Sequence, residues 1–311
     1  MTPGLVARQL GFGSADRIVV MHADDVGMCH GTLEAFDAVV ARGAITASSA
    51  MVPCGWFPSV ATWCREHTDT ADVGIHLTLN SEWTTLRWRP VSGTDVASLA
   101  DESGCFVRSP ETLLRQADVP DVYIELRAQI AAALADGVDV THIDSHIFVL
   151  RHPHFIETYA RLAREFRVPC GLIRRPDPEI ERLALPSREA DAYYRVIDEA
   201  ERDGLAVFDA WVDLPLNEPR ERRLDTGRRV LDGLPEGVSV VLFHPAIDSP
   251  EVRAISPDWP ARVGDYELLM SDAWARAVEA SGVRVIGMRA IRDALFGAPA
   301  AAASAAGTTR T

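Results

Sequence analysis

Seven residues of the kinds that bind cations and move protons fall at or near the ends of short apolar runs in this chain. Asp24 and Asp25 close the run that begins at Arg17, and His76 lies in the run 72–80. His142, Asp144 and His146 share the run 138–146, and His244 follows Val238 to Phe243. Carboxylates and imidazoles ligate divalent ions through oxygen and nitrogen, and imidazole also exchanges protons near neutral pH. Burying one such group alone is costly, whereas several together offset the cost by pairing or by holding a metal. Two imidazoles and one carboxylate are enough for a catalytic ion, because positions then stay open for water and substrate.

The spacing says which of them could meet. If residues 141–148 form a strand, His142, Asp144 and His146 share one face and Ile143, Ser145 and Ile147 the other. The same period separates Gly74, His76 and Thr78 from Ile75, Leu77 and Leu79. Taken singly, each has a duller reading. His76 or His142 could be a satisfied core histidine, His244-Pro245 a plain turn, and Asp24-Asp25 a cap on a helix beginning near Gly27 to Thr32. Adjacent Asp24 and Asp25 cannot both reach one ion from an extended backbone, but where the strand breaks one can ligate while its neighbour reaches a water. Base and cap stay open for Asp24 on this ground. A His244 that faced the ion would suit a general acid. His22, His30, His67, His152 and His154 have no companion signal and read as structural or surface residues.

The elements that must position these groups alternate. Eight β-rich runs begin near residues 17, 45, 72, 138, 168, 205, 238 and 282, separated by amphipathic segments, which predicts a parallel sheet. Helices are expected near 31–42, 121–136, 154–167, 188–202, 220–231 and 266–280. In the second of these Leu126, Ile130 and Leu134 recur every four residues before a capping Gly137. No G-x-G-x-x-G turn follows a strand. The expected architecture is a distorted (β/α) TIM-like barrel of seven or eight parallel strands, with active-site residues at the strands' carboxyl ends. A single domain spans 1–297, with a polar insertion from Asn80 to Pro120 after the third strand that could carry a substrate lid. The Ala-rich stretch 298–311 has no periodic pattern and reads as a disordered tail.

Composition narrows the function. The formal net charge is −14, and no basic stripe is present, so nucleic acid is not an expected partner. Every one of the 31 basic residues is Arg. Without Lys there is no Schiff-base or pyridoxal-phosphate chemistry and no Walker-type phosphate loop. Five scattered cysteines with no C-x-x-C pair read as reduced thiols. Neither a signal peptide nor a membrane span is expected before Ile18. The expected location is the cytoplasm, away from membranes, with a homodimer compatible with the sequence.

Four ordered motifs now carry a resemblance. His-Ala-Asp-Asp-Val-Gly, Gly74-Ile-His-Leu-Thr-Leu, Thr141-His-Ile-Asp-Ser-His and Phe243-His-Pro resemble the YdjC-like carbohydrate deacetylases, the family of chitooligosaccharide deacetylase. The likeness runs from about Ile18 to Phe296 and takes in Glu125 to Ile130 and Arg262 to Glu267. It implies a distorted barrel that holds a divalent ion, Mg2+ or Zn2+, through Asp25, His76 and His146. Asp24 would then be the base and His244 the acid that protonates the departing amine. The substrate would be an N-acetylated amino sugar, oligosaccharide or glycoconjugate. The family opening is usually Asn-Ala-Asp-Asp-Phe-Gly, so His22 and Val26 are departures that would alter the surroundings of the ion or the floor of the sugar pocket. Phe148 and Leu150 depart likewise just after Thr141 to His146.

Two other functions fit the same residues: a metal-dependent sugar isomerase or epimerase on a similar barrel, and a non-catalytic sugar-binding protein. Acetate release separates the first from a deacetylase, and five intact site residues weigh against the second. Trp83, Trp88, Trp259 and Arg262 are candidates to line a sugar site.

Overall fold

The computed structural model describes residues 4–93 and 96–297; the expected tail, 298–311, lies outside them. Among the described residues seven parallel strands are present: β1 (Arg17–Val26), β2 (Ala47–Ala50), β3 (Val73–Leu77), β4 (Val140–Ser145), β5 (Ala210–Asp213), β6 (Gly237–Phe243) and β7 (Arg284–Val285). They run in the order β4-β3-β2-β1-β6-β5, with β7 pairing the amino end of β1 at Ile18 and Val19. Isolated bridges, Ile143 to Cys170 and Ile173 to Phe208, carry the wall between β4 and β5. The result is a distorted barrel with helices outside it, as the alternation of elements predicts.

Period two decides which side chains fill the interior. Along β1, Ile18 and Val20 join an inner apolar cluster with Ala47, Phe208, Val238, Val240 and Leu242, while Val19, Met21 and Ala23 face the helices. The helices Leu5–Gln9 and Met288–Phe296 add Val6, Ala7, Met288 and Ile291 to that inner cluster and close its lower end. Continuing the same face of β1 upward gives His22 and then Asp24, so the barrel is apolar at the amino ends of its strands and polar at the carboxyl ends.

Three expectations differ from what forms. The run beginning at Val168 makes only single bridges, because the Leu172 amide folds back onto the Cys170 carbonyl (2.7 Å) and the Gly171 amide is taken by the Tyr159 hydroxyl (2.8 Å). The helix expected over 266–280 is two, Trp259–Met270 and Asp272–Ser281, divided at Ser271, whose hydroxyl caps the second by accepting from the Trp274 amide. In the helix Val119–Ala135 the buried stripe runs Leu126, Ile130, Ala133, leaving Leu134 exposed. A strict four-residue repeat drifts off a 3.6-residue turn, and Ala133 lies closer to the core face. The insertion after β3 holds a short helix, Pro110–Gln116, and buries Trp83, Trp88, Leu99, Phe106 and Leu113 in the main core. Among the described residues no helix is long and apolar enough to cross a membrane.

Candidate metal centre and active site

β1 ends in a bulge. Its register with β2 shifts between Ala23 and Val26, and Asp25 takes a left-handed backbone with φ 60°. Asp is among the few residues that tolerate this region. The turn lets consecutive side chains, Asp24 and Asp25, both enter the barrel mouth, which an extended strand forbids; both are buried.

On β3 and β4, His76 pairs in register with Asp144, and both point inward. The strand expected over 141–148 stops at Ser145. His146 follows in a tight turn in which Ile147 and Phe148 also have left-handed backbones, φ 54° and 55°. His146 still reaches the centre, but alternation ends there: Phe148 lines the cavity and Leu150 is buried in the core.

Three atoms converge. Asp25 Oδ1 lies 3.2 Å from His76 Nε2 and 3.1 Å from His146 Nδ1, and those two nitrogens are 3.2 Å apart. The far side of each group is committed. Asp25 Oδ2 accepts from Arg262 Nη1 at 2.7 Å, and Arg262 Nε donates to Asp258 at 2.8 Å. His76 Nδ1 faces Asp144 Oδ1 at 2.8 Å, and His146 Nε2 lies 3.2 Å from both Glu82 oxygens. A carboxylate only accepts, so the proton that each neutral imidazole keeps lies on the side of Asp144 or Glu82, and the inward nitrogen is left for a cation or, without one, for a second proton facing Asp25 Oδ1. Asp25 Oδ1 is buried and, apart from these two nitrogens, has no hydrogen-bond partner. Ligands about 2.0–2.2 Å from one ion stand about 3.0–3.5 Å apart. The donor set of two imidazoles and a carboxylate, with an orphaned buried oxygen among them, therefore fits a divalent cation.

The electrostatics point the same way. Burial opposes the charge on His76, but the carboxylates of Asp144 and Asp24 raise its pKa well above the ordinary imidazole value. Burial likewise opposes the charge on His146, and Glu82 with Asp25 raises it to about 9. Asp25 resists burial and stays well below the carboxylate range because of Arg262 and His146. A proton is held strongly where positive charge is wanted.

Asp24 stands beside this triangle. Its Oδ1 is 2.7 Å from His22 Nδ1, and its Oδ2 is 3.8 Å from His244 Nε2. The His244 amide donates to Asp265 Oδ2 at 2.9 Å, and Asp265 is ion-paired with buried Arg223, so the strand-to-loop corner at His244-Pro245 is pinned. A cavity of about 310 Å³ opens over Asp24, Asp25, His76, His146 and His244, with Trp83 and Phe148 in its wall.

The five residues singled out for metal and acid–base roles thus meet at one point. Of the four sugar-site candidates, Trp83 and Arg262 line the cavity. Trp88 is buried, its ring centroid 6.3 Å from that of His146, and Trp259 packs under Arg253. Arg262 serves as the partner of Asp25. Sequence reasoning missed Glu82 and Ser49. Glu82 sits in the irregular insertion, where no periodicity exposes it; that loop is anchored by Gln129, which bonds both the amide and carbonyl of Thr78, and by Glu125, which accepts from the Val91 and Ser92 amides. Ser49 lies on the inward face of β2, a short strand of small residues with no charged signal. His22, read as structural, is hydrogen-bonded to Asp24.

The comparisons with known proteins follow this geometry. The model of the family described as "YdjC-like protein" matches residues 18–280. The chain is 34% identical over 288 residues to a carbohydrate deacetylase of Thermus thermophilus, covering 93% of this chain and 98% of that one. It is 25% identical over 242 residues to a carbohydrate deacetylase of Thermoanaerobacter pseudethanolicus, covering 77% and 85% respectively. A crystal structure from Enterococcus faecalis V583, provisionally named a cellobiose-phosphate cleavage protein, superposes with a TM-score of 0.74 at 22% identity, covering 89% of this chain and 99% of that one. This last likeness supports the fold.

Proposed function

The chain belongs to the YdjC-like protein family, and from that premise we propose that it is a divalent-metal-dependent carbohydrate deacetylase. It hydrolyses the acetamido group of an N-acetylated amino sugar, oligosaccharide or glycoconjugate. The observation that carries this reading is the triangle of Asp25 Oδ1, His76 Nε2 and His146 Nδ1, 3.1–3.2 Å on a side, with Asp24 beside it under one cavity. The names of the relatives supply the substrate class.

A divalent ion held by Asp25, His76 and His146 would polarise the amide carbonyl and acidify water. The remaining work belongs to the chain. Asp24, with Oδ1 occupied by His22, presents Oδ2 to the cavity and takes a proton from the attacking water. Oxygen adds to the carbonyl carbon, the C–N bond breaks, and His244 delivers a proton to the departing nitrogen, yielding acetate and an amine. His244 Nε2 is 3.8 Å from Asp24 Oδ2, so the proton taken by one can be returned to the other between turnovers. Arg262 orients Asp25, and Trp83 and Phe148 offer apolar surface to a sugar ring or acetyl methyl.

The test is acetate release from a panel of N-acetylated mono- and oligosaccharides and glycoconjugates, by protein stripped with chelator and reloaded with Zn2+ or Mg2+. Metal-dependent release from at least one class is expected. Silence across the panel under every ion would remove the reading, and sugar isomerisation under the same conditions would replace it.

A further inference from the structure

Beneath the metal triangle lies a second histidine pair, of which the reaction as described uses only the contact of His22 with Asp24. His22 and His142 are both fully buried, and their Nε2 atoms are 2.7 Å apart. On its other side His22 Nδ1 meets Asp24 Oδ1 at 2.7 Å, and His142 Nδ1 meets the Thr141 hydroxyl at 3.0 Å. Together with Asp144 these residues could be taken for another ion site. The separation of 2.7 Å is a hydrogen-bond length and too short for two nitrogens on one metal, whose ligands stand about 3.0–3.5 Å apart.

The proton positions follow step by step. An ionised Asp24 accepts only, so His22 carries its proton on Nδ1. A neutral His22 then has a bare Nε2, and the short contact requires His142 Nε2 to be the donor. His142 Nδ1 is left bare and accepts from Thr141. Each ring nitrogen in the row then faces a partner of the right kind, and the Thr141 hydroxyl also neighbours Asp72.

We propose that His22 is a positioning residue for Asp24, locked in its tautomer by His142, and that the row fixes which carboxylate oxygen does the chemistry. With Oδ1 held from below, Oδ2 is the oxygen turned to the cavity and toward His244. The chain makes room for this row at Gly74. A Cβ there would stand 2.6 Å from both Nδ1 and Cε1 of His142 and 2.5 Å from its carbonyl oxygen, so only glycine opposite His142 admits the ring. The inference rests on the reading of Asp24 as the base, and its first test is independent of activity.

That test is long-range 15N–1H NMR of the zinc-loaded protein, with His22 and His142 assigned by H22N and H142Q. Pyrrole-type nitrogens at His22 Nδ1 and His142 Nε2, with pyridine-type nitrogens at His22 Nε2 and His142 Nδ1, are expected. A pyridine-type His22 Nδ1, or imidazolium signals at both His22 nitrogens, overturns the row. The kinetic test compares H22F with H22N, since Asn can offer an amide N–H where Nδ1 stood. H22F is expected to lower kcat at least about 10-fold, part of the 10²–10⁴ a general base contributes, with KM, zinc content and melting temperature held. H22N should recover most of it. A drop in zinc content or melting temperature parallel to kcat, no rescue by Asn, or a kcat within about twofold of the parent makes His22 merely structural. A parent that releases no acetate defeats the functional reading, and the NMR pattern still decides the row.

Discussion

Two histidine pairs lie one above the other in this barrel, and what stands behind each ring decides what stands between them. His76 Nε2 and His146 Nδ1 are 3.2 Å apart, and behind them are the carboxylates of Asp144 and Glu82. Both outer partners only accept, so the proton of each neutral ring turns outward, and the inner nitrogens are left to a cation or an extra proton that also meets Asp25 Oδ1. His22 and His142 are 2.7 Å apart, with an acceptor, Asp24, behind one and a hydroxyl that can donate, Thr141, behind the other. One proton then sits between the rings. On the proposed reading, identical side chains make a cation site in one case and a hydrogen bond in the other. The pKa directions agree: His146 is raised to about 9, while burial and the neighbouring His22 bring His142 down to about 3.

The largest effects should come from the upper pair. His76→Ala and His146→Ala each remove a donor and leave Asp25 and its fellow imidazole facing a gap. Loss of bound zinc and of all measurable acetate release is expected, read by elemental analysis and turnover. Retention of one zinc per chain by either variant would break the distinction between the pairs. Asp24→Asn comes next. It keeps the volume and removes the base, so turnover should fall about 10²–10⁴-fold with metal content intact. Full activity in that variant would leave Asp24 only the structural role of holding His22, since Cys29 and not Asp24 caps the helix that follows.

Glu82→Gln tests whether an outer carboxylate really sets the inner lone pair. An amide can donate as well as accept, so His146 is no longer held with its proton outward, and zinc affinity should weaken roughly 10–100-fold, as for other groups that orient metal ligands. An unchanged Kd would mean Glu82 only caps the cavity. The pH dependence has a defined sign. His146, raised to about 9, and His76, also raised, each carry an extra proton at lower pH which zinc must displace, so affinity should tighten as pH rises from 6 toward 9. One displaced proton corresponds to about tenfold per pH unit, measurable as Kd and as proton release in calorimetry. A flat profile would show that no proton competes for the site.

How much of this was legible in the sequence differs between the pairs. His76, His142 and Asp144 stood on inward faces by simple alternation, and the barrel followed from strands alternating with helices. His146 was placed on the right side for an incomplete reason, since the strand ends at Ser145 and a turn of two left-handed residues carries the ring inward. Asp24 and Asp25 could be seen to need a break in the strand, but not that it is a bulge with φ 60° at Asp25. Glu82 was invisible because it lies in an irregular loop anchored by Gln129 and Glu125 of a helix some fifty residues on. His22 was passed over because a lone histidine on an apolar strand is usually a core residue, and its partner, His142, is 120 positions away.

The smallest expected effect separates the pairs most finely. Ser49 donates to Asp144 Oδ2 at 2.8 Å and lies 3.0 Å from His76 Nδ1. Ser49→Ala removes one tether of the carboxylate, yet Asp144 Oδ1 still stands 2.8 Å behind His76, so the proton stays outward and the lone pair inward. One buried hydrogen bond is worth about 0.5–1.5 kcal/mol, so zinc affinity should weaken about 2- to 10-fold. Thr141→Val makes a comparable cut behind the lower pair. It removes the donor to His142 Nδ1, frees that ring to turn its proton around, and should leave zinc affinity unchanged while disturbing the His22 signals. A loss in Ser49→Ala as large as in Glu82→Gln, or zinc weakening in Thr141→Val, would show that the two pairs act as one network, and the rule that the outer partner alone decides would then fail.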